Sequence, residues 1–356
     1  MGNYLILTAA LAMPLAAGQG REPDCRAARQ QGLDWLLKEQ NVDGSWGPPM
    51  SADRIRRTAL ALSVLANEDA DLMTGPYAHS VKAATLWLLT QCHGGELEGL
   101  IALRRVERAS PRILSNHALA MCALTQVYGD TVDAESRQVI GAVLKRGINF
   151  ALKSQAVDGA WAGMIGPGPG LPPSADTTAA LMLTLRCCRD AGLPANKDPL
   201  KKGSAFLVAC TAADGHVKPA RNEEGMSPSR DALVLRASGG FMDMPQDPKR
   251  ARWLAACTKG VALDKLRAKN LDLEAHFWFS QTVWELGDDG WQNQFPDDPP
   301  GARLKWSHYR KKVFGVLLSM QLRSGAWSHP RFDQVEATAL ALAILQQDLR
   351  PLPLSR

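Results

Sequence analysis

The sequence predicts an all-α fold of six helix pairs, one ring of helices inside another, and three observations predict it. A short pattern recurs along the 356 residues, its copies fall about two helix lengths apart, and the helix after each copy is far more apolar than the helix before it.

The pattern is clearest at Gln40, Asp43, Gly44 and Trp46, at Gln155, Asp158, Gly159 and Trp161, and at Gln321, Gly325 and Trp327. A worn copy runs through Cys210, Asp214, Gly215 and Val217. With Gln91 as another equivalent helix end, the steps are 51, 64, 55 and 111 residues, the last close to two units. A unit without its signature is therefore expected near residue 265. The 281 residues from Gln40 to Gln321, in five steps, give about 56 per unit, enough for two ordinary helices and their connections.

The first helices are expected near 26–40, 78–92, 137–155, 199–211, 250–268 and 303–321, and their partners near 54–66, 114–128, 175–189, 229–237, 273–286 and 334–347. The partners, such as Thr58–Leu65, Thr177–Leu185 and Ala337–Leu345, combine apolar and small residues on nearly every side, which suits a buried inner ring. The first helices carry more charge and a single apolar stripe, as with Leu33, Leu36 and Leu37, and should form the outer ring.

The recurring loop has a local physical task. Asp-Gly supplies a turn with glycine in the left-handed region after the helix end. Glutamine can bond the exposed backbone groups there, while the tryptophan covers a helix end and offers its indole N–H to a polar partner. Trp46, Trp161 and Trp327 are thus scaffold residues rather than reacting ones.

This Gln-x-x-Asp-Gly-x-Trp signature on paired helices resembles the repeat of the squalene/oxidosqualene cyclases and protein prenyltransferase β-subunits, over about residues 26 to 350. The resemblance implies an (α/α)6 toroid with a cavity at its mouth. It does not settle function, because one fold hosts several activities.

The catalytic motifs that the resemblance would bring are missing. No Asp-x-Asp-Asp acid exists; the nearest approach, Glu68 to Asp71, lies in a polar loop unsuited to a raised carboxyl pKa. Asp288, Asp289, Asp297 and Asp298 read as turn residues, and no Asp-Asp-x-x-Asp diphosphate motif is present. No Asp-x-Cys pair offers zinc ligands, and the stretch Gly239–Pro245 is similar to the approach to such a site only loosely. The segment Cys92–Glu96 departs from the thioester motif Cys-Gly-Glu-Gln of complement-like toroids. Neither a metal nor a cofactor is implied. The aromatic group His276, Phe277, Trp278, Phe279 and Trp284 reads as core that could line an apolar cavity.

One polar residue per unit remains near the start of each inner helix: Arg57, His117, Asp176, Asp231, His276 and Glu336. Some are capping residues in this reading, Asp176 above all, since carboxylates suit helix N-termini. The set, with Trp278, otherwise forms a binding pocket at the mouth, and Asp176 and His276 are the candidate catalytic groups. Three functions stay open. The first is a non-cyclizing toroid that holds an apolar small molecule or a protein partner. The second is an isoprenoid cyclase or prenyltransferase-type enzyme with a non-standard acid such as Asp176. The third is a carbohydrate-active (α/α)6 enzyme, for which Asp231 and Glu336 are the carboxylate pair to test. Pocket polarity separates them.

Composition bounds the rest. The 46% hydrophobic content supports a large core, and the net charge of +5 is dispersed over pairs such as Arg104 and Arg105, Lys201 and Lys202, Lys249 and Arg250, and Lys311 and Lys312, with no basic stripe for nucleic acid. The apolar run Tyr4–Ala17, followed by Gly18, resembles a signal peptide over residues 1–18, although Met1-Gly2-Asn3 lacks a basic residue; export to the periplasm or medium is expected, with a cytoplasmic location as the alternative. One toroid domain then covers 19–350, with a tail at 351–356, and contact with a membrane is at most peripheral. Of seven cysteines, Cys122, Cys187 and Cys257 fall in apolar helical runs, and no Cys-x-x-Cys occurs.

Overall fold

In a computed structural model, residues 25–68, 72, 74–103, 110–165, 171–239 and 247–349 are described. The expected signal segment, Asp71, Arg104, Arg105, Arg108, most of Gly239–Pro245 and the tail lie outside them.

The helices follow in pairs, outer then inner. These are α1 (Cys25–Lys38) and α2 (Arg54–Glu68); α3 (Ala78–Thr90) and α4 (Ile113–Asp130); α5 (Ala134–Lys153) and α6 (Ala175–Asp190); α7 (Asp198–Ala209) and α8 (Pro228–Ala237); and α9 (Pro248–Val261) and α10 (Leu273–Leu286). A short α11 (Trp291–Gln294) precedes the last pair, α12 (Trp306–Met320) and α13 (Gln334–Leu345). The inner helices pack α2 on α4, α6, α8, α10 and α13 in turn, and α13 returns to α2, closing an (α/α)6 toroid. Inner and outer faces differ as the sequence requires. Every residue of α13 after Gln334 is buried, whereas α12 buries only Tyr309, Val313, Phe314 and Leu317 on one stripe.

The recurring loops are the joints of this ring. The Trp46, Trp161 and Trp327 indoles donate to the carbonyls of Leu36, Ala151 and Leu317 at 2.7–2.8 Å, each ten residues back near the end of its own outer helix. Gln40, Gln155 and Gln321 bridge the loop carbonyls of Gly44, Gly159 and Gly325 to Ser80, Pro199 and Ala28 on the next unit at 2.8–3.0 Å. The Gln321–Ala28 bond joins the last unit to the first and is direct evidence of closure.

The glycines explain how the units come so close. Gly44, Gly99, Gly159, Gly215 and Gly325 all have φ between +89° and +94°, and a Cβ on any of them would lie 2.1–2.6 Å from a backbone atom of the next outer helix. Gly99 marks the second joint, which was not legible as a copy of the pattern because Ile101 stands where tryptophan would. The fifth unit lacks the joint, as its spacing implied. There α9 ends at Val261 rather than 268, with Ala262 in the left-handed region and two 3-10 turns before α10. All seven cysteines are buried, and no helix among the described residues is long and apolar enough to cross a membrane.

Candidate functional site at the mouth of the toroid

The starts of the inner helices carry two polar series, two residues apart. Two residues on an α-helix turn through about 200°, so the series point in nearly opposite directions. One is Thr58, His117, Thr178, Asp231, His276 and Thr338; the other is Arg56, Ser115, Asp176, Ser229, Glu274 and Glu336.

The first series faces away from the mouth, and five of its six members anchor the joints. Thr58, Thr178 and Thr338 accept the backbone N–H of Trp46, Trp161 and Trp327 at 2.9–3.1 Å. His117 Nδ1 accepts the Ile101 N–H at 3.1 Å, and Asp231 accepts the Val217 N–H at 2.8 Å while its other oxygen meets His216 Nδ1 at 2.6 Å. His276 Nδ1 meets the Tyr309 hydroxyl of α12 at 2.7 Å. Burial pushes both His117 and His276 down to about 4, so each is neutral at ordinary pH. Burial raises the Asp231 carboxyl above its usual range, against the Val217 N–H and His216, which favour the anion. His117, Asp231 and His276 therefore do not line the mouth pocket.

Five members of the second series line the opening. A pocket of about 370 Å³ reaches Arg56, Ser115, Asp176, Ser229 and Glu274, one residue from each of five successive inner helices. Its size falls in the range of small-ligand sites. Arg112, Arg331, Asn116, Thr177 and Trp278 also contribute, and eleven of the sixteen lining residues are polar or charged. Trp278 is the one aromatic wall among the described residues; Phe277, ring centroid 4.4 Å from it, and Phe279 are core.

The charges are tied together. Arg56 contacts Glu274 at 2.6 Å and Glu336 at 3.2 Å. Burial alone would make this guanidinium easier to deprotonate, but the two carboxylates outweigh it and hold the cation. Burial raises the Glu336 carboxyl, with Arg56 opposing. Asp176 pairs with Arg230 Nε at 2.8 Å, and Arg331 meets Asp272 at 3.0 Å and Glu274 at 4.0 Å.

Three expectations change in detail. Asp176 is no cap: Ser174 caps α6 by accepting the Thr177 N–H at 3.2 Å. Arg57 lies one residue out of register with the mouth series and instead bonds Ser51 and Asp333, fastening the first joint to the start of α13. Asp231 and Glu336 do not face each other across a cleft, since Asp231 has no exposure and Glu336 sits behind Arg56. Arg56 and Glu274 were missed, although counting two residues back from each joint anchor would have found them. No three His, Cys, Asp or Glu side chains gather as metal ligands among the described residues.

The chain matches no protein-family profile and no curated protein by sequence. Its fold superposes on solved carbohydrate-active structures. The glucoamylase of Hormoconis resinae is 11% identical with a TM-score of 0.57, over 92% of this chain and 73% of the other. The GH76A alpha-1,6-mannanase of a Salegentibacter species is 10% identical with a TM-score of 0.56, over 90% and 98%. An unsaturated glucuronyl hydrolase specific for heparin is 12% identical with a TM-score of 0.59, over 93% and 98%. At such identities the likeness establishes the fold alone. It corrects the resemblance drawn from the loop pattern: these structural neighbours are glycoside-acting toroids, not squalene cyclases or prenyltransferases. The physical reason is that Gln, Gly and Trp make the joint between units, so the pattern reports how a ring is fastened and not what happens in its mouth.

Proposed function

We propose that the chain is a carbohydrate-active (α/α)6 protein whose mouth pocket takes a polar saccharide, with Asp176 and Glu274 the carboxylates placed to act on it. The observation that carries this reading is the pair of carboxylates in one pocket: Asp176 and Glu274 reach it from the third and fifth inner helices, with Ser229 on the fourth between them. Hydroxyl-rich ligands suit such walls, and one aromatic face at Trp278 suits the apolar side of a sugar ring. Glycoside hydrolysis uses two carboxyl groups on either side of the scissile bond. The solved neighbours, among them a mannanase, a glucoamylase and a glucuronyl hydrolase, support the same class.

A second reading, saccharide binding without turnover, is favoured by the arginines that hold both carboxylates, Arg230 on Asp176 and Arg56 on Glu274. One experiment addresses both. Wild type, Asp176→Asn and Glu274→Gln are titrated with, and assayed for cleavage of, alpha-1,6-manno-oligosaccharides, gluco-oligosaccharides and unsaturated uronides. The expected outcome is cleavage of one class, with kcat/KM falling about 100-fold or more in either variant. Binding without cleavage selects the second reading. A folded wild type that neither binds nor cleaves any of the three classes defeats both.

A further inference from the structure

The two carboxylates of the mouth are each held by an arginine through one oxygen. Arg230 Nε takes Asp176 Oδ2 at 2.8 Å, and its Nη1 is fixed by the carbonyls of Val217 and Gly225 at 3.2 and 3.0 Å. Arg56 Nη2 takes Glu274 Oε1 at 2.6 Å. The other oxygen, Glu274 Oε2, lies 4.0 Å from Arg331 Nη2, beyond hydrogen-bond reach. What holds the two arginines differs. Where Arg230 has neutral carbonyls, Arg56 has a carboxylate: its Nε lies 3.2 Å from Oε1 of Glu336, which sits in the first turn of α13 and does not line the pocket.

Fastening the ring does not explain Glu336. The seam between the last unit and the first is already closed by Arg57 on Asp333, by Gln346 on the Val64 carbonyl at 2.8 Å, and by Gln321 on Ala28 in the outer ring. Glu336 is buried, and its contact with Arg56 is an ion pair in which neither Oε1 nor Nε gains a hydrogen bond. Such a pair recovers little of the cost of burying a carboxylate. The groups that face Glu336 are Arg56, Arg57 and Asp53 at the start of the first inner helix, Asp333 at the start of α13, and Glu274 of α10 across the Arg56 guanidinium. Burial raises the Glu336 pKa, Arg56 opposes it, Asp333 and Asp53 raise it further, and Arg57 opposes that. A guanidinium is a rigid plane, so a carboxylate that fixes its Nε also sets the direction of its Nη2.

We propose that Glu336 is a positioning residue for the mouth: it fixes Arg56, which holds Glu274 by Oε1 and leaves Oε2 as the oxygen that meets the saccharide. The role rests on the saccharide reading above. Glu274 is then the member of the pair that works as the anion, because Arg56 and Arg331 both face it, whereas Arg230 is the partner of Asp176.

The test separates charge from reach. Glu336→Gln keeps the length and removes the charge, which leaves Arg56 wholly to Glu274. The Glu274 anion then persists to lower pH, and the acid limb of the kcat/KM profile moves down by about 0.5 pH unit or more. Glu336→Asp keeps the charge but falls one methylene short, so the limb stays in place while kcat drops about fivefold or more and KM changes by less than about twofold. The substrate is whichever of the alpha-1,6-manno-oligosaccharides, gluco-oligosaccharides and unsaturated uronides the wild type turns over; with binding but no turnover, the same shift and loss are read on Kd. Thermal transitions are recorded for both variants, and either one that folds suffices. An unmoved acid limb in folded Glu336→Gln, or wild-type kcat in folded Glu336→Asp, overturns the role of Glu336 and leaves the saccharide reading standing. Failure of both variants to fold assigns Glu336 to the stability of the ring and overturns the role as well. A wild type that neither binds nor cleaves any of the three classes overturns both.

Discussion

The third and fourth joints of the ring have the same backbone geometry with different side chains. At the third, the Trp161 ring lies against Gly203 of α7, where a Cβ would come 3.2 Å from the indole, and the Trp161 N–H goes to Thr178. At the fourth, Val217 stands in the tryptophan's place, Trp253 of α9 in the glycine's, and Asp231 in the threonine's. The large side chain has crossed from loop to helix: Trp253 is buried and donates its indole N–H to Thr211 at 3.0 Å. What does not differ is the turn. Asp158 and Asp214 each accept an N–H two residues on at 3.1 Å, and Gly159 and Gly215 hold φ of +89° and +93° against the next outer helix. The joint is thus defined by backbone, and its filling is interchangeable as long as volume and the loop N–H are both satisfied.

Exchanging the fillings strains this comparison most. Trp161→Val is expected to cost about 3–4 kcal/mol, because no Trp253 stands opposite to take up the space. Val217→Trp is expected to cost about 1–3 kcal/mol through overpacking against Trp253. Adding Trp253→Gly to Val217→Trp should recover part of that loss, and urea midpoints for the four proteins of the cycle give the coupling directly. Strict additivity would show that the two residues do not share one space.

Glycine substitution should then hit both joints alike. Gly159→Ala and Gly215→Ala place a methyl 2.4 and 2.6 Å from the carbonyl oxygens of Lys202 and Arg252 at positive φ, and each should cost about 2–3 kcal/mol. Gly192, also at positive φ but with open space around its Cβ position, is the control, and Gly192→Ala should cost only about 1 kcal/mol. Equal losses at all three positions would mean that backbone strain, and not the approach of the next unit, sets the requirement for glycine.

The same division between backbone and filling decides what the sequence made legible. Helix pairs, their number and the missing fifth signature could be read because periodicity and turn glycines are local properties of the chain. The mouth could not be read so well. A shift of one or two residues along a helix reverses the direction of a side chain, and nothing local distinguishes Asp176, which faces the pocket, from Asp231, which fastens a loop.

Asp231 offers the finest comparison of the two joints, since replacing it with threonine restores the anchor used at Trp46, Trp161 and Trp327. Asp231→Ala leaves the Val217 N–H and His216 without their acceptor and should cost about 2 kcal/mol. Asp231→Thr keeps an acceptor for Val217 and removes a buried carboxylate, so it should lie within about 1 kcal/mol of wild type near neutral pH. The sign with pH follows from linkage. Burial raises the folded-state pKa of Asp231 above its value of 3.8, so its contribution is fully present below that pH and is lost as pH rises through the folded pKa. The threonine variant has no such loss, and its stability relative to wild type should therefore climb as pH rises from below 3.8. Denaturant midpoints of both proteins across the acidic range measure this difference, and a relative stability that falls with rising pH would show that His216 and the Val217 N–H outweigh the desolvation of the carboxylate.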